Sequence, residues 1–232
     1  MFKYDLHVHD SVCSRCASAS PEELVRAYYE AGMNGFVSTN HFIHGHTNVP
    51  RNLPWEERMM MYYSSYERAL KEAEKYPDFN LFFGFEHAWA GGREVLVYGA
   101  DIEFLLKYPE INDMPIEEFC RLFIDNGCVV GTAHPYRVRD YNDLSVDNAP
   151  LFVNAVEVYN AHNSPFENMR AFKYATSNDF ILLSGGDTHH IGEESIGQAG
   201  IATNEPINDS KQLAEILKSG NYNLIIDGNI VE

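Results

Sequence analysis

The sequence predicts an α/β protein in which short strands and helices alternate until the sheet closes into a barrel. Three observations carry this expectation. Strand-like and helix-like runs alternate along the chain, the pattern of βαβ units, and seven such units are found. Five of the strands end in good metal ligands, at His9, His41, Glu86, His134 and the Asp187/His189 pair. In a parallel barrel the C-terminal strand ends meet on one face. The 232 residues, read as one domain over 1–232, suffice for a sizeable core.

Each element has its own signal. Tyr4-Asp5-Leu6-His7-Val8-His9 is the first strand. Ser20-Pro21-Glu22-Glu23 forms a capping box with proline at the first helical position, and that helix runs to a stop at Gly32. The second strand, 36–41, ends in Asn40-His41. Residues 44–54 lack periodicity and are rich in Asn, Pro and Gly, so a loop is expected, followed by a long helix over 55–76. The third strand, 81–86, is apolar until Glu86, and Gly91-Gly92 turns into a fourth, 94–99.

Pro115 opens a helix that stops at Asn126-Gly127. The fifth strand then leads to His134-Pro135, where the proline is expected to hold the preceding backbone extended. A polar loop over 136–150 precedes the sixth strand, 155–160, and a helix over 166–177. The seventh strand reaches Asp187 through Gly185-Gly186, glycines expected to let the backbone approach a bound group. The tail holds a strand at 199–203, a helix at 210–217 and an apolar run at 224–226.

Composition narrows the function. The formal charge is −17, with no cluster of Lys and Arg. Phosphate neutralisation supplies most nucleic-acid affinity, so stable duplex binding is not expected. Bound cations inside an acidic surface suit a small anionic substrate better. No stretch approaches the roughly 18 uninterrupted apolar residues of a membrane span. No basic-then-apolar leader precedes the first strand, which favours the cytoplasm. Four cysteines are too few for a disulfide framework. Cys120 and Cys128 read as core, while Cys13 and Cys16 have the spacing of zinc and redox pairs but lack a second pair.

Site chemistry begins at His7 and His9. Residues two apart in a strand share a side, so both imidazoles can reach one metal, and Asp187 and His189 repeat the arrangement. Glu86 ends a wholly apolar strand, where an unpaired carboxylate is costly. A role bridging two metals would satisfy it. Arg137, in His134-Pro135-Tyr136-Arg137, is the first candidate for substrate phosphate because guanidinium matches phosphate oxygens in bidentate fashion, with Arg139 second. His44 and His46 stand in a loop that can cover the pocket. His87, His162 and His190 carry no assignment.

His7-Val8-His9, Asn40-His41, Glu86, His134-Pro135 and Asp187-Thr188-His189 together resemble the successive motifs of the PHP (polymerase and histidinol phosphatase) superfamily. Ser20-Pro21-Glu22-Glu23-Leu24, the strand Val156-Glu157-Val158-Tyr159-Asn160 and Ile196-Gly197 agree with it. The resemblance implies a distorted seven-stranded β/α barrel holding two or three divalent metals: zinc, manganese or iron. His7, His9, Glu86 and Asp187 would hold the first, Glu86 would bridge to a second shared with His134, and His41 and His189 would belong to a third.

Three departures stand out. Asn40 replaces an Asp, Glu94 stands near a usual histidine, and no His or Asp at the usual spacing completes the third site. Glu94, Asp10, Cys13 and Cys16 are the substitutes available, so two metals are expected before three.

The chemistry implied is phosphoester hydrolysis by a metal-bridging hydroxide, since metals lower the pKa of water from about 15.7 toward about 7. His189, His41 or Asp187 would manage the proton. The substrate expected is a small phosphate monoester or short nucleotide, with histidinol phosphate one option by resemblance. The alternatives are a PHP-type exonuclease on nucleic acid, a C–N hydrolase or deaminase, and a degenerate non-catalytic metal-binding or regulatory protein.

Overall fold

The computed structural model describes residues 1–146 and 152–231, so residues 147–150 of the loop expected over 136–150 lie outside the described residues. The strands are β1 (Phe2–Val8), β2 (Gly35–Ser38), β3 (Asn80–Ala88), β4 (Glu94–Tyr98), β5 (Val129–Thr132), β6 (Ala155–Asn160), β7 (Ile181–Gly185), β8 (Gly200–Thr203), β9 (Asn223–Ile226) and β10 (Asn229–Val231). The helices are α1 (Pro21–Glu30), α2 (Trp55–Ala73), α3 (Ile102–Lys107), α4 (Ile116–Asp125), α5 (Pro165–Ser177) and α6 (Ser210–Ser219). No helix among the described residues is long and apolar enough to cross a membrane.

Local signals explain most boundaries. Ser20 accepts from the Glu23 amide while Glu23 accepts from the Ser20 amide, closing the expected capping box. Ser164 and Glu167 do the same for α5, again with proline at the first turn. The sequence reading did not anticipate α3. It is only six residues long, capped by Asp101, and it packs where Trp55 Nε1 donates to the Leu105 carbonyl at 2.8 Å.

The strands form one curled sheet in the order β10-β9-β8-β1-β2-β3-β4-β5-β6-β7. Ten strands rather than seven make it up, because β8, β9 and β10 extend it antiparallel from the free side of β1. Beyond β7 the chain returns to β1: the Asp187 amide donates to the His7 carbonyl at 2.7 Å, and the His9 amide to that of Thr188 at 2.9 Å. The sheet is mixed. β4 runs antiparallel to both β3 and β5, because a tight turn at 89–93 folds it back on β3, the Trp89 amide donating to the Arg93 carbonyl at 2.9 Å.

Two apolar clusters flank the sheet. One joins Phe36, Phe83, Phe85, Val95 and Val97 to buried faces of α1, α2 and α4. The other joins Tyr4, Leu6, Val37, Phe82, Leu96, Tyr98 and Leu183. The register of β1 against β2 shifts between Asp5 and Val8. Tyr4 and Leu6 therefore pack in the second cluster while Val8 packs in the first. Such irregularities re-aim side chains beside functional sites, and this one spans His7.

Candidate metal centre

The strand ends bring His7, His9, His41, Glu86, Glu94, His134, Asp187 and His189 to one place. Four overlapping groups each put three potential ligand atoms within 4.8 Å of one another: His7/His9/Asp187, His7/Glu86/His134, His41/Glu86/Glu94 and His9/His41/His189. Glu86 lies at the middle. Its Oε1 is 3.0 Å from His134 Nε2 and 3.3 Å from His7 Nε2, and its Oε2 is 2.8 Å from His41 Nδ1 and 3.6 Å from His9 Nε2. Asp187 Oδ1 stands 3.3 Å from His9 Nε2 and 3.5 Å from His7 Nε2.

Outer hydrogen bonds fix which nitrogen of each ring faces inward. His7 Nδ1 donates to Glu157 Oε1 at 2.9 Å, leaving Nε2 toward Glu86 and Asp187. Ser14 Oγ gives its single proton to Asn40 Oδ1 at 2.9 Å, so it accepts from His9 Nδ1 at 3.2 Å. His189 Nδ1 lies 2.7 Å from the Asp187 carbonyl, which can only accept, and so carries the proton. In the neutral form of each ring Nε2 therefore keeps its lone pair for a ligand.

The ligand atoms themselves lack partners. His7 Nε2, His9 Nε2, His41 Nδ1 and Glu86 Oε2 are buried and make no hydrogen bond, although they lie close to one another. Buried polar atoms in folded proteins are usually hydrogen-bonded, and these four differ from the other unpartnered ones in converging on one place. Lone pairs from imidazoles and carboxylates, buried and converging, suit divalent zinc, manganese or iron. The residues present therefore fit a metal centre. Burial opposes protonation of His7, yet Asp187, Glu157 and Glu86 hold its pKa well above the usual value. Burial, with His189 and His41 beside it, pushes that of His9 well below. Burial also opposes ionisation of Asp187, but His7 and Arg137 keep its pKa well below the carboxylate range.

A cavity of about 440 Å³ opens over these atoms, lined by His41, Glu86, Glu94, His134, Asp187 and His189 together with Cys16, His46, Gly92, Arg137 and Tyr141. Glu94 reaches it from the first residue of its strand. That is a consequence of antiparallel β4, which places its beginning beside the ends of β3 and β5; a parallel barrel would have put Glu94 at the far end.

The other expected site residues divide. Arg137 is buried, with Nη1 on Asp187 Oδ2 at 2.8 Å, Nη2 on Asn160 Oδ1 at 2.7 Å and Nε on Asn163 Oδ1 at 2.8 Å. One of these three bonds holds Asp187, and the other two fix the guanidinium against Asn160 and Asn163. Arg139 ties to Glu167 and the His162 carbonyl and does not line the cavity. Of the two loop histidines, His46 lines the cavity and His44 bonds the Asn112 carbonyl instead. Asp10 is not brought to the cluster. It accepts from Asn40 Nδ2, Ser65 Oγ and the amides of Val12 and Cys13. Asn40 can donate to Asp10 where an aspartate would set two carboxylates together. Cys13 Sγ is fully buried against the Tyr62 carbonyl.

Two local expectations are corrected. His134 is not extended but has φ +30, a conformation fixed where its amide donates to Glu157 Oε2 at 2.7 Å. The glycines 185 and 186 do not make room for a bound group. A Cβ at Gly185 would lie 2.4 Å from His7 Cβ, and one at Gly186 2.4 Å from Asp5 Oδ2, so they let β7 press against β1.

Glu157 is the residue that sequence reasoning missed. One carboxylate orients both His7 and His134, and its signal was an acid between two valines of a buried strand.

No protein-family model and no curated protein sequence matches the chain. Solved structures do. A two-domain Bacteroides vulgatus protein containing a predicted PHP-like metal-dependent phosphoesterase matches all of this chain and 66% of its own, with a TM-score of 0.71 and 15% identity. A Bifidobacterium adolescentis protein, described by inference as a metal-dependent phosphoesterase, matches over 93% of this chain and 95% of its own, at TM-score 0.56 and 15% identity. The lesion-specific endonuclease EndoQ of Pyrococcus furiosus matches over 96% of this chain and 57% of its own, at TM-score 0.61 and 13% identity. The chain thus spans about two thirds of the first and little more than half of the third. The chain shares its fold with these structures, the first of which contains the PHP-like unit that the motifs resemble.

Proposed function

We propose that this protein is a metal-dependent phosphoesterase acting on a small phosphate monoester or short nucleotide. One observation carries the reading: four buried, unpartnered ligand atoms from His7, His9, His41 and Glu86 converge beneath an open cavity. His7, His9, Glu86 and Asp187 would hold one divalent ion, Glu86, His134 and Glu94 a second, and His41 and His189 would contribute to a further position. Zinc, manganese or iron bound there would supply Lewis acidity and a nucleophilic water at neutral pH.

The protein's own contribution is to orient and to exclude. Glu157 sets the rings of His7 and the backbone of His134, and Arg137 with Asn160 sets Asp187. Asp187 is the candidate for holding the proton of the attacking water, with His189 and His41, on the cavity wall, available to the leaving oxygen. Arg137 Nη1 and Nη2 each retain an N–H beyond the bonds described, and these offer a phosphate its second contact.

The test is phosphate release from an aryl phosphate and from mononucleotides, with metal added. Asp187→Asn is expected to lower the rate at least about a hundredfold, the scale of a lost general acid–base group. Wild-type protein that is metal-loaded yet releases no phosphate from any ester would count against the reading. The likeness to a lesion-specific endonuclease favours a second substrate class, and cleavage of an oligonucleotide with mononucleotides untouched would select it.

A further inference from the structure

We propose that Cys16 is a thiolate ligand of this centre, closing the side formed by His9, His41 and His189 and biasing it toward soft divalent ions such as zinc and ferrous iron over magnesium. The inference rests on the metal-centre reading and adds a ligand to it. The spacing Cys13-Ser14-Arg15-Cys16 suggests a chelating pair, but the structure separates the two sulfurs. Cys13 points into the apolar core, whereas Cys16 is part-exposed on the cavity wall with His41, His46 and His189.

Backbone bonds on both sides hold Cys16 there. The Arg15 amide donates to the His46 carbonyl at 2.8 Å, and the Ala17 amide to that of Ser14 at 3.2 Å. The amides of Ser18 and Ala19 both donate to the His189 carbonyl, at 3.0 and 3.3 Å. The backbone of Cys16 is therefore held between the His46 and His189 segments.

An independent observation shows what the sulfur would share. His9 Nε2 and His41 Nδ1 are buried without partners. One ligand atom from each of His9, His41 and His189 lies within 4.8 Å of the others. The His9 ring lies 4.4 Å from that of His189 and 4.5 Å from that of His41. Lone pairs gathered this closely are what a bound cation would share. Neutral imidazoles bring no charge, and Glu86, 2.8 Å from His41 Nδ1, is shared with His7 and His134, so this side has room for one more negative ligand. Cys16 would supply it, its thiol proton passing to solvent as the metal–sulfur bond forms. Thiolate is the soft ligand that discriminates zinc and iron from magnesium.

Cobalt(II) loading tests this with a readout apart from activity. Wild-type protein should show a thiolate-to-cobalt charge-transfer band in the near ultraviolet in addition to visible ligand-field bands. Cys16→Ser should lose the charge-transfer band and keep ligand-field absorption, and Cys16→Asp should retain cobalt without that band. Iodoacetamide labelling of the wild type, read by mass spectrometry, should modify Cys16 in chelated protein and spare it when zinc is bound. Ligand-field bands without charge transfer, an unchanged band in Cys16→Ser, or labelling that zinc does not alter would each overturn the thiolate assignment while leaving the metal centre standing. Absence of any cobalt uptake would overturn both.

Discussion

A single carboxylate shows how far the centre depends on residues that never touch the reacting atoms. Glu157 accepts from His7 Nδ1, from the His134 amide and from Asn160 Nδ2. Removing its charge loosens two proposed ligands together. Glu157→Gln is expected to weaken zinc binding about 10- to 100-fold, the scale of such supporting bonds, with far-UV circular dichroism unchanged. Chelator competition measures it, and unaltered affinity would show that His7 is oriented by packing alone. At this scale the sequence was informative where residue type and spacing suffice, as at His7-Val8-His9, Glu86 and Asp187-Thr188-His189. It was uninformative where orientation depends on distant partners. Nothing local shows that Arg137 braces Asp187, that Asp10 is engaged by Asn40 and Ser65, or that His134 adopts positive φ.

The elements were legible from their caps and stops, since capping boxes and helix-terminating glycines act within a few residues. Their pairing was not. Whether β4 runs with or against β3 is decided by the turn at 89–93, and that direction determines whether Glu94 meets the site. Contact between β1 and β7 is equally non-local. Gly185→Ala would drive a methyl into His7 Cβ, so the variant is expected to lose metal affinity and about 1–3 kcal/mol of stability. Urea unfolding and zinc titration read the two losses, and a variant equal to wild type in both would contradict the close approach.

Buried thiols give the elements a pH signature. Burial in the α4 core raises the Cys120 thiol from 9.0 to about 12. The unfolded chain releases that proton first, so Cys120 contributes stability that is present below about pH 9 and lost as pH rises toward 12. Cys120→Ala should therefore show a smaller alkaline fall in unfolding free energy. An identical pH slope in both proteins would place Cys120 in contact with solvent.

For the molecule as a whole, a formal charge of −17 surrounds a cavity whose floor is made of imidazoles and carboxylates. That field leaves bound cations as the natural source of local positive charge. The fold is shared with a predicted PHP-like metal-dependent phosphoesterase, and the sheet's curl is what gathers ligands from β1, β3, β4 and the segments after β2, β5 and β7. The central claim is therefore that this gathering exists to hold metal. Elemental mass spectrometry on protein as purified, and after zinc or manganese reconstitution and desalting, tests it most directly. Two or more ions per chain, falling in His7→Ala and Glu86→Ala, is the result expected. One ion or none in folded wild-type protein would contradict it.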